Sequence, residues 1–358
     1  MARMVDGEWR YDVEQIQSGE TGEFQRDTTS FRDWIAGSRR GPDDVVTDGP
    51  EPEAGRYHLY VSYACPWAHR TLFTRAVKGL EDAISVDVVD PVRKNEGWEF
   101  APEKRGCTAE SQYGHDYLRE IYAEADENYT GRVTVPVLWD KQEETIVNNE
   151  SEEIMRMLDT AFDGTGAERS GDTVASGSRS DSDAIAENDV TLYPEGYREE
   201  IDDVTDAIYT PINNGVYRAG FATSQDAYDE AVADLFDALD RWDAVLADQR
   251  YLAGDRLTLA DVAMFTTLYR FDEVYHTHFK CNAKRIVDYE HLWGYLRELC
   301  QLPGVADTMH MDHVKNHYYR SHPDVNPNAI VPVGPDPDFF APHGRDGLPG
   351  GPPADLAE

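Results

Sequence analysis

The sequence predicts an α/β domain with a mixed sheet, followed by an all-α domain. Two observations carry that reading. Residues 57–160 run strand-like and helix-like segments in the order βαβ, excursion, ββα, and beyond 193 every long segment has helical spacing. A third observation separates the halves: residues 162–192 are Gly, Ser and Asp with almost no large apolar side chain, the composition of a solvated linker. A chain of 358 residues has the length for two cores.

Residues 1–54 mix Gly, Asp, Arg and turn signals around one apolar cluster, FRDWI at 31–35, and read as an extension that packs through a few aromatics. YHLYVSY (57–63) alternates as a strand does and runs into Cys65-Pro66, where a helix over WAHRTLFTRAVKGL can start. AISVDVVD (83–90) is rich in β-branched residues. A polar excursion then holds GWEF (97–100) and a helical stretch at 115–125. VPVLWD (135–140) and ETIVN (144–148) read as strands leading into a helix over 151–159. Because proline cannot donate to a ladder, Val135-Pro136 is expected at a sheet edge or in a special turn, with a cis bond as one option. A helix must cover the crossover between parallel strands, so residues 55–161 form an α/β sandwich. Helices are predicted over 195–218, 224–248, 258–277, 288–300 and 305–319, giving an all-helical domain over 193–322. The start of the third is marked by a capping box from Thr258 to Asp261, with Leu257 and Val262 as a hydrophobic staple. Pro and Gly recur over 323–358, so the tail is expected to be extended and partly disordered.

Lys and Arg total 33 against 69 Asp and Glu, a formal charge of −36 that disfavours nucleic acid and anionic membranes as partners. Aromatic residues at 11% supply enough apolar mass for folding, so the acidity belongs to the surface. Only seven of the basic residues are lysines, and the pattern is that of proteins from salt-loving organisms; an acidic face for one basic partner is the alternative. Four dispersed cysteines make no disulfide scaffold and point to a reducing compartment. The N-terminal residues lack an apolar signal core and no segment approaches a membrane span, so a cytoplasmic location is expected.

Cys65 is the candidate nucleophile. Placed directly before Pro66 at a strand-to-helix turn, it is a helix N-cap, where free N–H groups and the helix dipole favour a thiolate and are expected to lower its pKa. A dithiol motif would have a second cysteine at position 68, and Ala68 stands there, so a mixed disulfide on Cys65 must be resolved by an external thiol. Cys107, Cys281 or Cys300 would serve only if folding brought one of them near. His69 and Arg70, one turn on, either support the thiolate or are structural. Asn149-Glu150-Ser151 precedes a helix whose N–H groups can take a carboxylate while Glu150 accepts an ammonium, which suits an α-amino acid group; an ordinary helix cap is the other reading of Ser151. His310, His313 and His317 share one helical face at offsets of three and four. A solvated or site-lining stripe is a simpler reading than a metal site.

YVSYACPWAHR, GWEF, TVPVLWD, IVNNESEEI, INNGVYRAGFATSQ (212–225), RFDEVYHTHFKCN (270–282) and HVKNHYYRSHPDVNP (313–327) together resemble the glutathionyl-hydroquinone reductases, or Xi-class glutathione transferases, over roughly 55–335. The resemblance implies a thioredoxin-like N-terminal domain before a helical one, the glutathione transferase fold, and a homodimer. It implies Cys65 as nucleophile, with Trp98, Val135, Glu150 and Ser151 holding the thiol cosubstrate, glutathione or γ-glutamylcysteine. Tyr217, Tyr275 and Tyr318 match three tyrosines that face the cysteine and meet the quinol. The implied activity is reductive removal of the thiol from a hydroquinone, a quinone-detoxifying reaction that needs no metal. Another cysteine-type transferase and a non-catalytic scaffold on the same fold are the rival readings.

Overall fold

The computed structural model describes residues 3–11, 17–19, 21–26, 28–162, 190–353 and 356. Its centre is a four-stranded sheet in the order β6-β5-β7-β8, built from β5 (Tyr57–Val61), β6 (Ser85–Val88), β7 (Val137–Asp140) and β8 (Thr145–Asn148). β5 and β6 are parallel, joined by α1 (Pro66–Val77), while β7 runs antiparallel to both β5 and β8. All five residues of β5 and all four of β7 are buried, because both faces of the sheet are covered. α1 packs on α3 (Ser151–Thr160), and α2 (Leu118–Ala125) lies against β8. This is the expected thioredoxin-like sandwich. Of the two placements expected for Pro136 the special turn holds: β7 is an interior strand, and Pro136 sits in a cis turn just ahead of it.

The helical half comprises α4 (Arg198–Ile208), α5 (Gly215–Gly220), α6 (Gln225–Val245), α7 (Leu259–Arg270), α8 (His276–His278), α9 (Leu292–Cys300) and α10 (Met311–Ser321). Two of the predicted continuous helices are interrupted. Tyr209–Asn213 and Phe271–Tyr275 are π-helical turns that link α4 to α5 and α7 to α8. Such widened turns shift the register of the side chains beyond them. The last helix starts at Met311 instead of 305, after a 3-10 turn over Ala306–Thr308. The capping box is present: Asp261 accepts from Thr258 N at 2.8 Å and Oγ1 at 2.9 Å, and additionally from Leu252 N at 2.9 Å and the Tyr295 hydroxyl at 2.7 Å.

Most of the expected linker, 163–189, lies outside the described residues. Its flanks are not solvated: Phe162, Val190 and Leu192 are buried, and Asp159 accepts from Leu192 N at 2.8 Å and Tyr193 N at 2.9 Å. The tail is extended as expected, yet its described part is held. Arg345 is 5% exposed, bonds the Glu298 carboxylate at 3.0 Å and caps the carbonyls of Leu246, Gln249 and Arg250.

The N-terminal extension spans both halves. The hairpin of β1 (Arg3–Val5) and β2 (Glu8–Arg10) pairs Met4 with Gly131. The short strands β3 (Gln17–Ser18) and β4 (Phe24–Gln25) form a second hairpin, and beside it Thr223 N donates to Gly22 O at 2.9 Å and Ser224 Oγ to Thr21 O at 2.7 Å. Gly22 is needed there: its φ is +88° and a Cβ would lie 2.9 Å from the side chains of Thr223 and Ser224. Further on, Phe31 packs edge-on to Tyr122, and Trp34 and Ile35 are buried.

Candidate active site

A cleft of about 1120 Å³, counted to its open mouth, lies where the sheet domain, the helical half and the extension meet. Cys65 sits on its floor as the N-cap of α1, with extended backbone (φ −76°, ψ 123°) and Pro66 at the first helical position. Its Sγ is 3.6 Å from Val135 O, and the N–H groups of Ala68 and Trp67 point at it. The expected lowering of its pKa does not hold. Burial pushes the thiol up, against the N–H groups of Ala68 and Trp67 and the charges of Arg270 and Arg26.

Arg270 is a residue that sequence reasoning missed. Fully buried at the end of α7, it reaches across the domain junction to Ala64 O at 3.0 Å and Tyr63 O at 3.1 Å, the backbone directly ahead of Cys65. His69 and Arg70 do not face the thiol. His69 pairs with Thr308 Oγ1 at 2.8 Å and with Arg270 Nη1 at 3.0 Å, and burial, with the Arg270 charge, holds it neutral. Arg70 bonds Asn213 Oδ1 at 2.9 Å. Both are structural links between α1 and the helical half. The four cysteines are free thiols, and Cys281 and Cys300 are buried in the helical core.

One side of the cleft carries Trp98, Val135, Glu150 and Ser151, which the structure brings together with Arg93, Arg132, Thr134 and Asn149. Trp98 stacks on His317 at 5.2 Å with 20° between the rings, and its indole N–H is buried without a partner. Glu150, rather than Ser151, is the N-cap of α3. Ser151 is the first helical residue, 2% exposed, its hydroxyl 3.5 Å from Glu150 Oε1. The cap reading of Ser151 therefore falls away.

The opposite side carries Trp67, Tyr209, Tyr217, Phe221, Tyr318 and His322. Tyr318 is the hub of a phenol chain: its hydroxyl lies 2.5 Å from that of Tyr217 and 3.0 Å from that of Tyr275. Tyr275 stands behind Tyr318, fully buried and off the cleft surface. The adjacent Tyr319 points away, donating to Glu273 O at 3.1 Å. Burial raises all three phenols, and the Cys65 charge adds to the effect on Tyr217, so they stay protonated.

The histidine stripe is largely buried rather than solvated: His317 lines the cleft, as the site-lining reading expects, while His310 and His313 sit on the domain junction. His310 stacks on Tyr63 at 3.7 Å, and His313 meets Arg105 O at 2.8 Å. His317 Nδ1 is 2.7 Å from Pro91 O, so this nitrogen carries the proton; burial and the Arg93 charge hold the ring neutral, its pKa lowered to about 3. Among the described residues no three His, Cys, Asp or Glu side chains are grouped to hold a metal.

The extension supplies Phe24, Arg26 and Thr29 to the cleft, none of which the sequence singled out. Thr29 Oγ1 lies 3.5 Å from Glu150 Oε2. Arg26 lies under the aromatic side, its guanidinium 4.8 Å from the Trp67 ring centroid and 5.0 Å from that of Tyr217.

Residues 64–161 match the family profile described as Glutathione S-transferase, N-terminal domain, and residues 225–298 match Glutathione S-transferase, C-terminal domain. The chain is 48% identical over 346 residues to glutathionyl-hydroquinone reductase YqjG of Escherichia coli (strain K12), covering 97% of this chain and 99% of the relative. It is 46% identical over 338 residues to glutathionyl-hydroquinone reductase PcpF of Sphingobium chlorophenolicum, covering 94% and 96%. Among solved structures, a Xi Class GST from Natrialba magadii superposes with a TM-score of 0.84 at 58% identity, covering 98% of both chains. The glutathione-bound structure of YqjG gives 0.81 at 45% identity, covering 96% of this chain and 99% of that one.

Proposed function

The chain belongs to the glutathionyl-hydroquinone reductases, the Xi class of the glutathione transferase family, and on that premise we propose that it removes a γ-glutamyl thiol from thiol-conjugated hydroquinones through a mixed disulfide on Cys65. The observation that carries this reading is the position of Cys65, where a polar thiol-holding side of the cleft meets a side of protonated phenols.

On the polar side, Glu150 and the N-terminus of α3 take the ammonium and carboxylate of the γ-glutamyl group, and the Val135 backbone lies beside the sulfur to be attacked. The unpartnered Trp98 N–H is a donor that a bound thiol would satisfy. These groups read the γ-glutamyl-cysteine portion shared by glutathione and γ-glutamylcysteine, so either thiol serves.

In the first step a phenol gives its proton to the ring carbon bearing sulfur while a ring hydroxyl becomes a carbonyl and passes its own proton back to the phenolate, so the tyrosine is protonated again before the next step. The Cys65 thiolate then attacks the thioether sulfur: the S–S bond forms, the C–S bond breaks, and its electron pair returns to the ring, restoring the aromatic hydroquinone with charge on oxygen. A second thiolate attacks the mixed disulfide and frees Cys65, so the two electrons for reduction come from the two thiols. General-acid help of this kind typically contributes ~10²–10⁴-fold. Tyr217 and Tyr318 reach the cleft and are the candidate donors; Tyr275 acts through Tyr318.

All of these groups come from one chain. The test is incubation of a thiol-conjugated menadiol with glutathione or γ-glutamylcysteine in high salt, beside Cys65→Ala. Free menadiol is expected with either thiol and none with the variant. Release by the variant at the wild-type rate would overturn the reading, and turnover of small mixed disulfides alone would select the thioltransferase rival.

A further inference from the structure

Arg26 lines the partly buried cleft and, like the buried Arg70 and Arg270, has no carboxylate partner among the described residues. Its Nε donates to Asn214 Oδ1 at 3.0 Å, and its Nη2 is buried without a hydrogen-bond partner. Three rings hold the guanidinium: Trp67 at 4.8 Å, Tyr217 at 5.0 Å and Phe24 at 5.4 Å. Aromatic faces position a cation but leave its hydrogen-bonding edge unsatisfied, and desolvation makes that edge a strong donor to any anion that arrives.

The reaction of the preceding section generates such an anion on the aromatic side of the cleft. When the C–S bond breaks, its electron pair becomes the charge on a quinol oxygen. Tyr217 and Tyr318 are protonated neutral donors to that oxygen, and neither carries a positive charge. Arg26 lines the same cleft beside Tyr217, and its charge also acts on Cys65 and on Tyr217.

We propose that Arg26 is a catalytic residue supplied by the N-terminal extension, whose guanidinium holds the quinol oxygen that becomes negative as the carbon–sulfur bond breaks. This inference rests on the hydroquinone-reductase reading. It assigns the extension a chemical task in addition to its packing one.

The experiment compares wild type, Arg26→Gln and Arg26→Lys in three assays: quinol release from a series of thiol-conjugated hydroquinones whose ring substituents make the phenol more or less acidic, thiol release from a small mixed disulfide, and alkylation of Cys65 by iodoacetamide. Arg26→Gln is expected to lower kcat for quinol release by about 10²-fold, the usual effect of removing one oxyanion donor. The deficit is expected to shrink as the phenol becomes more acidic, because a stabler anion needs the guanidinium less. Disulfide exchange and alkylation change less than threefold, and Arg26→Lys recovers part of the loss. Equal losses in all three assays would overturn the proposal by making Arg26 a support for Cys65 or for the fold. A deficit independent of phenol acidity would also overturn it. Absence of quinol release by the wild type would instead refute the reading on which the proposal stands.

Discussion

At the scale of single residues, the site divides into groups that local sequence announces and groups that only the fold assembles. Tyr318 illustrates the second kind. Its hydroxyl bridges Tyr217, 101 positions away, and Tyr275, 43 positions away, and no local pattern distinguishes it from Tyr319. Tyr318→Phe breaks both bonds and leaves the Tyr217 hydroxyl without its short partner. It is expected to lower kcat for quinol release by ~10²-fold or more, with the rate of Cys65 alkylation unchanged. Tyr275→Phe removes one bond behind the cleft surface and is expected to cost about 10-fold or less, as a positioning residue should; steady-state kinetics on one conjugate orders the two. Cys65 was legible because Cys-Pro at a strand-to-helix turn is a local signal, as were Glu150 and Ser151 at the start of a helix. Arg26 and Arg270 were not: the groups they touch lie tens to hundreds of positions away, and nothing in the intervening sequence marks the pairing. The direction of the Cys65 shift was misread for the same reason, since a helix N-terminus is visible in sequence while the depth of the cleft around it is not.

At the scale of elements, strand alternation and helix starts were readable and helix continuity was not. Thr258 and Asp261 marked the start of α7 because capping is a contact between residues three apart. The same helix gives way to a π turn at Phe271–Tyr275, which packs against α10, and spacing alone does not encode it. Asp261 does more than cap. Fully buried, it holds the Leu252 loop and the α9 residue Tyr295 as well as its own helix start, and burial raises its carboxyl to about 6. A carboxyl raised in the folded state above its unfolded value of 3.8 contributes stability that is complete below about pH 4 and is lost as pH rises through about 6. The difference corresponds to roughly 3 kcal/mol. Chemical denaturation of wild type and Asp261→Asn between pH 4 and 7.5 is expected to show this slope in the wild type only. A constant difference between the two would mean that Asp261 is ionised throughout.

At the scale of the whole molecule, a charge of −36 works against compaction, and mobile counterions relieve it. Raising KCl from 0.1 to 2 M is expected to increase the thermal midpoint by about 4 °C or more, on the order of 1–2 kcal/mol for a chain of this size. A midpoint indifferent to salt would remove the argument that the acidic surface is built for high ionic strength. The extension has the largest reach of any segment, and its course has a consequence for biosynthesis. Met4, Thr21 and Gly22 are made well before Gly131, Thr223 and Ser224, the partners that hold them, which follow 100 to 200 positions later. At about 5–20 residues per second, these residues wait roughly 10–40 s for the last of their partners. During that interval Cys65 already has its own helix start, while the groups from the helical half and the extension are missing. Premature termination after α1 and before α6 therefore yields a thiol that can be alkylated or oxidised but not one equipped to release a quinol.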